Sequence, residues 1–226
     1  MKIRKLEKYV GFFLLLLVLV AAGLVDDLWL SQLPVRNSDV FPAWMVNLDS
    51  AVFILINQSL SSPPLDLIMS LITHVGSTVF WLTVSLVLWF RNKRREAVLL
   101  ATTIILGGIF FSFLKVFIAR PRPYQVIAGS RVVEMEGGSS FPSGHTKNVF
   151  SAAVILGKNR TIRWKVTLYM LALIISFSRI YVGMHYPLDV LVGALAGYII
   201  ARIVLSYDRQ IISLATRFNI LHPRQT

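Results

Sequence analysis

Cysteine is absent from the 226-residue chain, which excludes disulfides, thiolate metal sites and a cysteine nucleophile. Charge is scarce as well: 15% of residues are Asp, Glu, Lys or Arg, against about 25% in an ordinary soluble domain. A chain this apolar is not a disordered segment, and the same scarcity weighs against a soluble enzyme. Low-complexity linkers and internal repeats are missing, so a single domain, 1–226, is expected. Acidic residues are the rarer sign, 11 against 23 basic ones, for a formal net charge of +12. What fills the chain is apolar: 55% hydrophobic residues and a mean hydropathy of +0.67. In such a chain the basic excess points to a membrane rather than to nucleic acid.

A helix needs about 20 mainly apolar residues to cross the hydrocarbon. Six stretches are read as spans: 10–25, 67–90, 97–118, 143–157, 164–182 and 187–206. The last three are shorter between charges, and titratable residues crowd one end of each. Residues 51–65 are uncharged too, but Asn57, Gln58, Ser59, Ser61 and Ser62 interrupt them and Pro63-Pro64 ends them. That stretch is expected to be an extra interfacial or re-entrant helix between the first two spans. The fold class is therefore all-α, a bundle of six transmembrane helices. Residues 207–226 alternate Ile, Leu and Phe with Arg, which predicts an amphipathic tail on the inner leaflet.

Basic residues in short loops set the orientation. Lys2, Arg4, Lys5 and Lys8, then Arg91, Lys93, Arg94 and Arg95, then Lys158, Arg160, Arg163 and Lys165, then Arg209, Arg217 and Arg224 all fall on one side of six spans. That side is expected to be cytoplasmic, with both termini there. The first outer segment instead carries Asp26, Asp27, Asp39, Asp49 and Asp66. A basic start, an apolar run and Ala21-Ala22-Gly23 also fit a cleaved signal peptide; the run is long for one, and its loss would leave five spans.

Some charges break this pattern. Lys115, Arg120, Arg122 and Arg179 sit at outer span ends, with His145 and His185. One such cation alone is most simply a snorkelling anchor. Four cations, two histidines and Asp189 converging from four consecutive helices instead form an anion site, and guanidinium forks suit phosphate oxygens. Phe141-Pro142-Ser143-Gly144-His145 opens the fourth span. Ser143 can cap that helix, Gly144 lets a ligand close on the backbone, and the helix start favours an anion. His185 and Asp189 lie four apart around Pro187, which suits a first helical turn. Asp189 can fix the tautomer of His185 and free its other nitrogen to attack, or it can simply balance the helix dipole. Two histidines beside a cationic cradle suit phosphoryl transfer, one attacking phosphorus and the other protonating the leaving oxygen. No metal or other cofactor is expected. His74, within the second span, reads as a packed or hydrogen-bonded residue, and His222 as solvated.

These residues fall into three motifs: Lys115-x6-Arg122-Pro123, Pro142-Ser143-Gly144-His145 and Ser178-Arg179-x5-His185-x3-Asp189. In this the chain resembles the type 2 phosphatidic acid phosphatase (PAP2) superfamily of integral-membrane lipid phosphatases, whose soluble relatives are the vanadium haloperoxidases. The resemblance implies a helical bundle without a metal cofactor. It implies that Lys115, Arg122 and Arg179 bind phosphate and that Ser143 and the Gly144 backbone complete the cradle. It also implies that His185 becomes a phosphohistidine, that Asp189 orients it and that His145 is the general acid. Arg120 falls in the variable part of the first motif and ranks lower. The expected substrate is a lipid phosphate or diphosphate at the outer face of the cell membrane, either undecaprenyl diphosphate or phosphatidylglycerophosphate/phosphatidic acid. The motifs do not separate these. The outer loop, with Arg131, Glu134 and Glu136, is expected to shape headgroup choice. A non-catalytic binder or transporter of anionic lipids, and a lipid phosphotransferase, are the alternatives. No nucleic acid and no obligate protein partner is expected beside the lipid and the bilayer.

Overall fold

The computed structural model describes residues 40–217, together with Gln32 and Val35. The first expected span, the signal-peptide alternative, the basic N-terminus and His222 lie outside the described residues. Every regular element among the described residues is a helix. In chain order they are α1 (Ala43–Ile54), running on through a wider turn at Leu55–Ser59, then α2 (Pro63–Thr73), α3 (Thr78–Phe90), α4 (Arg94–Ile118) and α5 (Pro123–Val126). After the outer loop come α6 (Gly144–Gly157), α7 (Ile162–Tyr181), α8 (Pro187–Ser206) and α9 (Asp208–Arg217).

By length and composition two described stretches can cross a membrane, Arg94–Val126 and Pro187–Ser206. The expected span 67–90 is divided: Pro63–Gly76 and Thr78–Phe90 meet at a bend of 59° and together would make a third crossing. The break has a local cause. Ser77 is extended and caps α3, its Oγ accepting from the Phe80 N–H at 3.1 Å. Gly76 lies so close to His145 that a Cβ there would come within 2.8 Å of its ring. Helix α6 has 14 residues, about 21 Å of rise, short of the roughly 30 Å of hydrocarbon. It is nonetheless the centre of the bundle, packed on α4, α7 and α8.

The packing reflects the solvent. Lipid tails are as apolar as leucine, so close fit, more than expulsion from water, holds such helices together. The main core joins Trp81, Leu82, Leu100, Ile104, Ala152 and Ile175 across α3, α4, α6 and α7. Along α8, Gly193 and Gly197 form a small-residue seam against α6. A Cβ on Gly193 would stand 2.6 Å from the Ser143 carbonyl oxygen, and one on Gly197 would strike the Lys147 carbonyl. Ser151 Oγ donates to the Gly197 carbonyl at 3.0 Å. The helix ends at Ile118, Gly144, Tyr181 and Pro187 therefore gather at one end of the bundle.

At the other end α9 folds back. Its first residue, Asp208, accepts from Arg95 at 2.7 Å and 3.1 Å and from Lys158 at 2.7 Å. A cleft of about 590 Å3 opens there, lined by Lys93, Arg95, Lys158, Arg160, Trp164 and Asp208 among others. Burial alone would raise the Asp208 carboxyl, but Arg95 and Lys158 hold it below its usual range.

Candidate active site

His185 lies in the short turn between α7 and α8. Pro187 begins α8, and Asp189 sits at its third position. The Asp189 carboxylate caps the helix, Oδ2 accepting from the Tyr186 N–H at 2.9 Å. The same oxygen is 3.5 Å from His185 Nδ1, longer than a well-formed hydrogen bond. Nδ1 has no hydrogen-bond partner, so this oxygen is the acceptor placed to receive its proton. The Asp189 carboxylate thus caps the helix and stands beside the imidazole at once.

Behind Asp189 lies a buried ion network. Arg120 donates to Asp189 Oδ1 and to Asp49 Oδ2, both at 2.7 Å. Its guanidinium lies 3.8 Å from the centre of the Tyr186 ring. The other Asp49 oxygen accepts from the Leu188 N–H at 2.8 Å. Arg120 is thus spent on two carboxylates and does not join the anion cradle, where its charge and position alone had grouped it.

Arg122 and Arg179, expected from the sequence to cradle phosphate, are each 1% exposed. Arg122 Nη1 donates to the Met184 carbonyl at 3.1 Å, while Nε and Nη2 donate to the Gly137 carbonyl at 3.1 and 2.8 Å. Arg179 Nη1 donates to Thr73 Oγ1 at 2.7 Å, and its buried Nε has no partner. Between the two stands Glu136. Its Oε1 accepts from Arg179 Nη2 at 2.5 Å, and its Oε2 lies 3.2 Å from Arg122 Nη2. Burial alone would raise the Glu136 carboxyl; Arg179, His145, Arg122 and His185 together hold it well below the carboxylate range. One carboxylate is therefore within the field of both guanidinium groups and both imidazoles.

The third wall is the start of α6. Ser143 caps it, Oγ accepting from the Thr146 N–H at 3.4 Å and from Thr146 Oγ1 at 3.1 Å. Its own N–H donates to the Asp189 carbonyl at 3.1 Å, tying the starts of α6 and α8 together. The first intrahelical bond is Lys147 N–H to the Ser143 carbonyl, so the amides of Gly144 and His145 precede it and have no carbonyl within the helix to meet. A methyl group at Gly144 would meet nothing within 4 Å, so its backbone borders open space. Lys115, in the last turn of α4, is close enough for its charge to act on His145. All eight residues singled out from the sequence thus gather at one end of the bundle.

Three residues joined them unforeseen in role: Asp49, Thr73 and Glu136. Asp49 was one of several outer acids, with no spacing linking it to Arg120. Glu136 was expected to help shape headgroup choice from the outer loop, but nothing in its spacing signalled its pairing with both arginines. His74 also departs from expectation: its side chain is 65% exposed and lies 3.6 Å from Glu134, because the bend at Gly76 turns it out of the bundle.

A family model described as the PAP2 superfamily matches residues 96–212. Undecaprenyl-diphosphatase BcrC of Bacillus subtilis is 32% identical over 139 residues, which cover 60% of this chain and 71% of that protein. Among solved structures, Aquifex aeolicus LpxE superposes with a TM-score of 0.67 at 32% identity, covering 71% of this chain and 96% of that one. The first transmembrane PAP2-type phosphatidylglycerolphosphate phosphatase from Bacillus subtilis superposes with a TM-score of 0.66 at 25% identity, covering 90% of this chain and 97% of that one.

Proposed function

This chain belongs to the PAP2 superfamily, and from that premise we propose that it is a membrane lipid phosphatase working through a phosphohistidine. One observation carries the reading: the two buried guanidinium groups of Arg122 and Arg179 converge on a single carboxylate, Glu136, with both imidazoles within range of its charge. A phosphate there would receive charge-assisted hydrogen bonds from Arg122 and Arg179 and the field of the α6 start. Lys115 adds a third positive charge beside His145. The named relatives are phosphatases, in keeping with hydrolysis of a phosphoric ester.

In the proposed reaction His185 Nε2 attacks phosphorus. A P–N bond forms while the P–O bond to the lipid breaks, and His145 gives its proton to the departing oxygen. Nδ1 of His185 keeps its proton and points it at Asp189, whose carboxylate stabilises the positive charge that develops on the ring. Arg122, Arg179 and Lys115 hold the equatorial oxygens as charge spreads over them. Water, relieved of a proton by His145, then cleaves the P–N bond and inorganic phosphate leaves. Ser143 and the Gly144 amide line the cradle.

The positive-inside pattern supports a site facing away from the cytoplasm, with six spans in one domain and both termini inside. A headgroup phosphate at that boundary with tails in the bilayer fits undecaprenyl diphosphate first, and phosphatidylglycerophosphate or phosphatidic acid next. Purified protein is tested for phosphate release from these lipids with a chelator present. Release from at least one is the expected result; none from any overturns the enzyme reading in favour of an anionic-lipid binder.

A further inference from the structure

The Glu136 carboxylate occupies the place the mechanism needs for phosphate. Its two oxygens face one nitrogen each of Arg179 and Arg122, at 2.5 and 3.2 Å. The proposed phosphate ligands are therefore already paired with an anion from the chain itself. Yet the contact is not a closed core pair. The Glu136 side chain is 34% exposed, so water reaches one side of it.

The loop carrying it is fastened on both flanks. Upstream, the Arg131 N–H donates to Asn57 Oδ1 at 2.8 Å, and Asn57 Nδ2 donates to the Arg131 carbonyl at 2.9 Å and the Tyr181 carbonyl at 2.8 Å. Val133 N–H bonds the Val182 carbonyl at 3.1 Å. Downstream, Ser140 N–H bonds the Arg120 carbonyl at 2.9 Å. Between these anchors come Glu134, Met135, Glu136, Gly137 and Gly138. Gly138 has φ +69°, which glycine adopts without strain. The Glu134 side chain is tied to Ser70 and His74, and the Glu136 and Gly137 carbonyls are tied to Tyr124 and Arg122, so the part that can swing is the Glu136 side chain.

Resting on the phosphatase reading, we infer that Glu136 is an internal competitor that sets which anions the cradle accepts. A carboxylate carries one negative charge. So does the phosphodiester of a bulk phospholipid headgroup, which surrounds the site at far higher abundance than any substrate. A terminal phosphate carries close to two. Two guanidinium groups gain more from the second charge, so the terminal phosphate displaces Glu136 and the diester does not. The competitor also returns after turnover and helps free the product. Apparent affinity falls by the fraction of time the cradle is open; removing the competitor therefore tightens every anion by the same factor and brings the monoanion into the measurable range.

The test reads binding without turnover. Calorimetry on the full chain in detergent uses inorganic phosphate as the dianionic probe and dimethyl phosphate as the monoanionic one. The parent is expected to bind the first and not measurably the second. Glu136→Gln should bind inorganic phosphate at least about tenfold tighter and gain binding of dimethyl phosphate. Met135→Gln, at the exposed neighbour of Glu136, should behave as the parent. Phosphate affinity unchanged or weaker in Glu136→Gln overturns the inference. Should that variant fail to fold, Glu136→Asp decides: its shorter carboxylate spans the two guanidinium groups less well, so inorganic phosphate should bind tighter than to the parent, and affinity unchanged or weaker overturns the inference. A parent that binds phosphate but hydrolyses no lipid defeats the phosphatase reading and leaves this measurement standing.

Discussion

Among single residues, His185 carries the sharpest expectation. His185→Ala should lose several powers of ten in kcat, as loss of a nucleophile commonly does, while calorimetry still shows inorganic phosphate binding. Activity within about tenfold of the parent would remove His185 from the nucleophile's role. Asp49 tests the network behind it. Asp49→Ala strips Arg120 of one buried carboxylate and leaves the Leu188 N–H unmet. Breaking a buried pair costs about 3–5 kcal/mol, so the thermal midpoint should fall and kcat should drop more than KM rises. Asp49→Asn, which keeps an acceptor for Leu188, should recover part of both; equal losses in the two variants would argue against positioning through Arg120. The motif residues were legible because their spacing is local. Lys115, Arg122, Ser143, His145, Arg179, His185 and Asp189 all fall on helix ends that the hydropathy pattern already marks. Asp49 and Thr73 were not, since their partners lie 71 and 106 residues away and no periodicity joins them.

At the scale of elements, helices 97–118, 143–157, 164–182 and 187–206 were legible nearly to the residue, because charges and Pro or Gly bound each. The break at residues 74–77 was not. It arises from the meeting of Gly76 with His145, a contact between helices, and hydropathy averages over it. The seam of α8 offers a test of how elements set the site. Gly197→Ala pushes a methyl group into the Lys147 carbonyl, and overpacking typically costs about 1–3 kcal/mol. The same push parts the starts of α6 and α8, so activity should fall further than stability alone explains. Gly144→Ala makes the contrast: its methyl group meets open space, so the thermal midpoint should stay put while phosphate affinity drops. Docking of α9 should depend on pH. Asp208 is held below its ordinary range by Arg95 and Lys158, so its contribution is complete above the unfolded value of about 4 and disappears as pH falls through the lower folded value. Protection of the α9 amides, taken relative to the intrinsic exchange rate at each pH, should fall on acidification below that range and stay flat between neutrality and pH of about 5.

For the molecule as a whole, the absence of cysteine makes sidedness directly measurable. Thr161→Cys, at the exposed start of α7, and Ala128→Cys, exposed in the outer loop, each introduce the sole thiol. A membrane-impermeant maleimide on intact cells should label the Ala128→Cys protein and spare Thr161→Cys until the membrane is opened. The reverse pattern would put the site on the cytoplasmic face and end the outer-leaflet proposal. The network of Asp49, Arg120 and Asp189 bears on the reaction at this scale too. Two carboxylates share one guanidinium, so this dry region is left one positive charge short of neutral. An imidazole bonded to phosphorus supplies that charge. On the proposed mechanism, these three groups thus hold behind His185 a spare negative charge that the covalent intermediate answers.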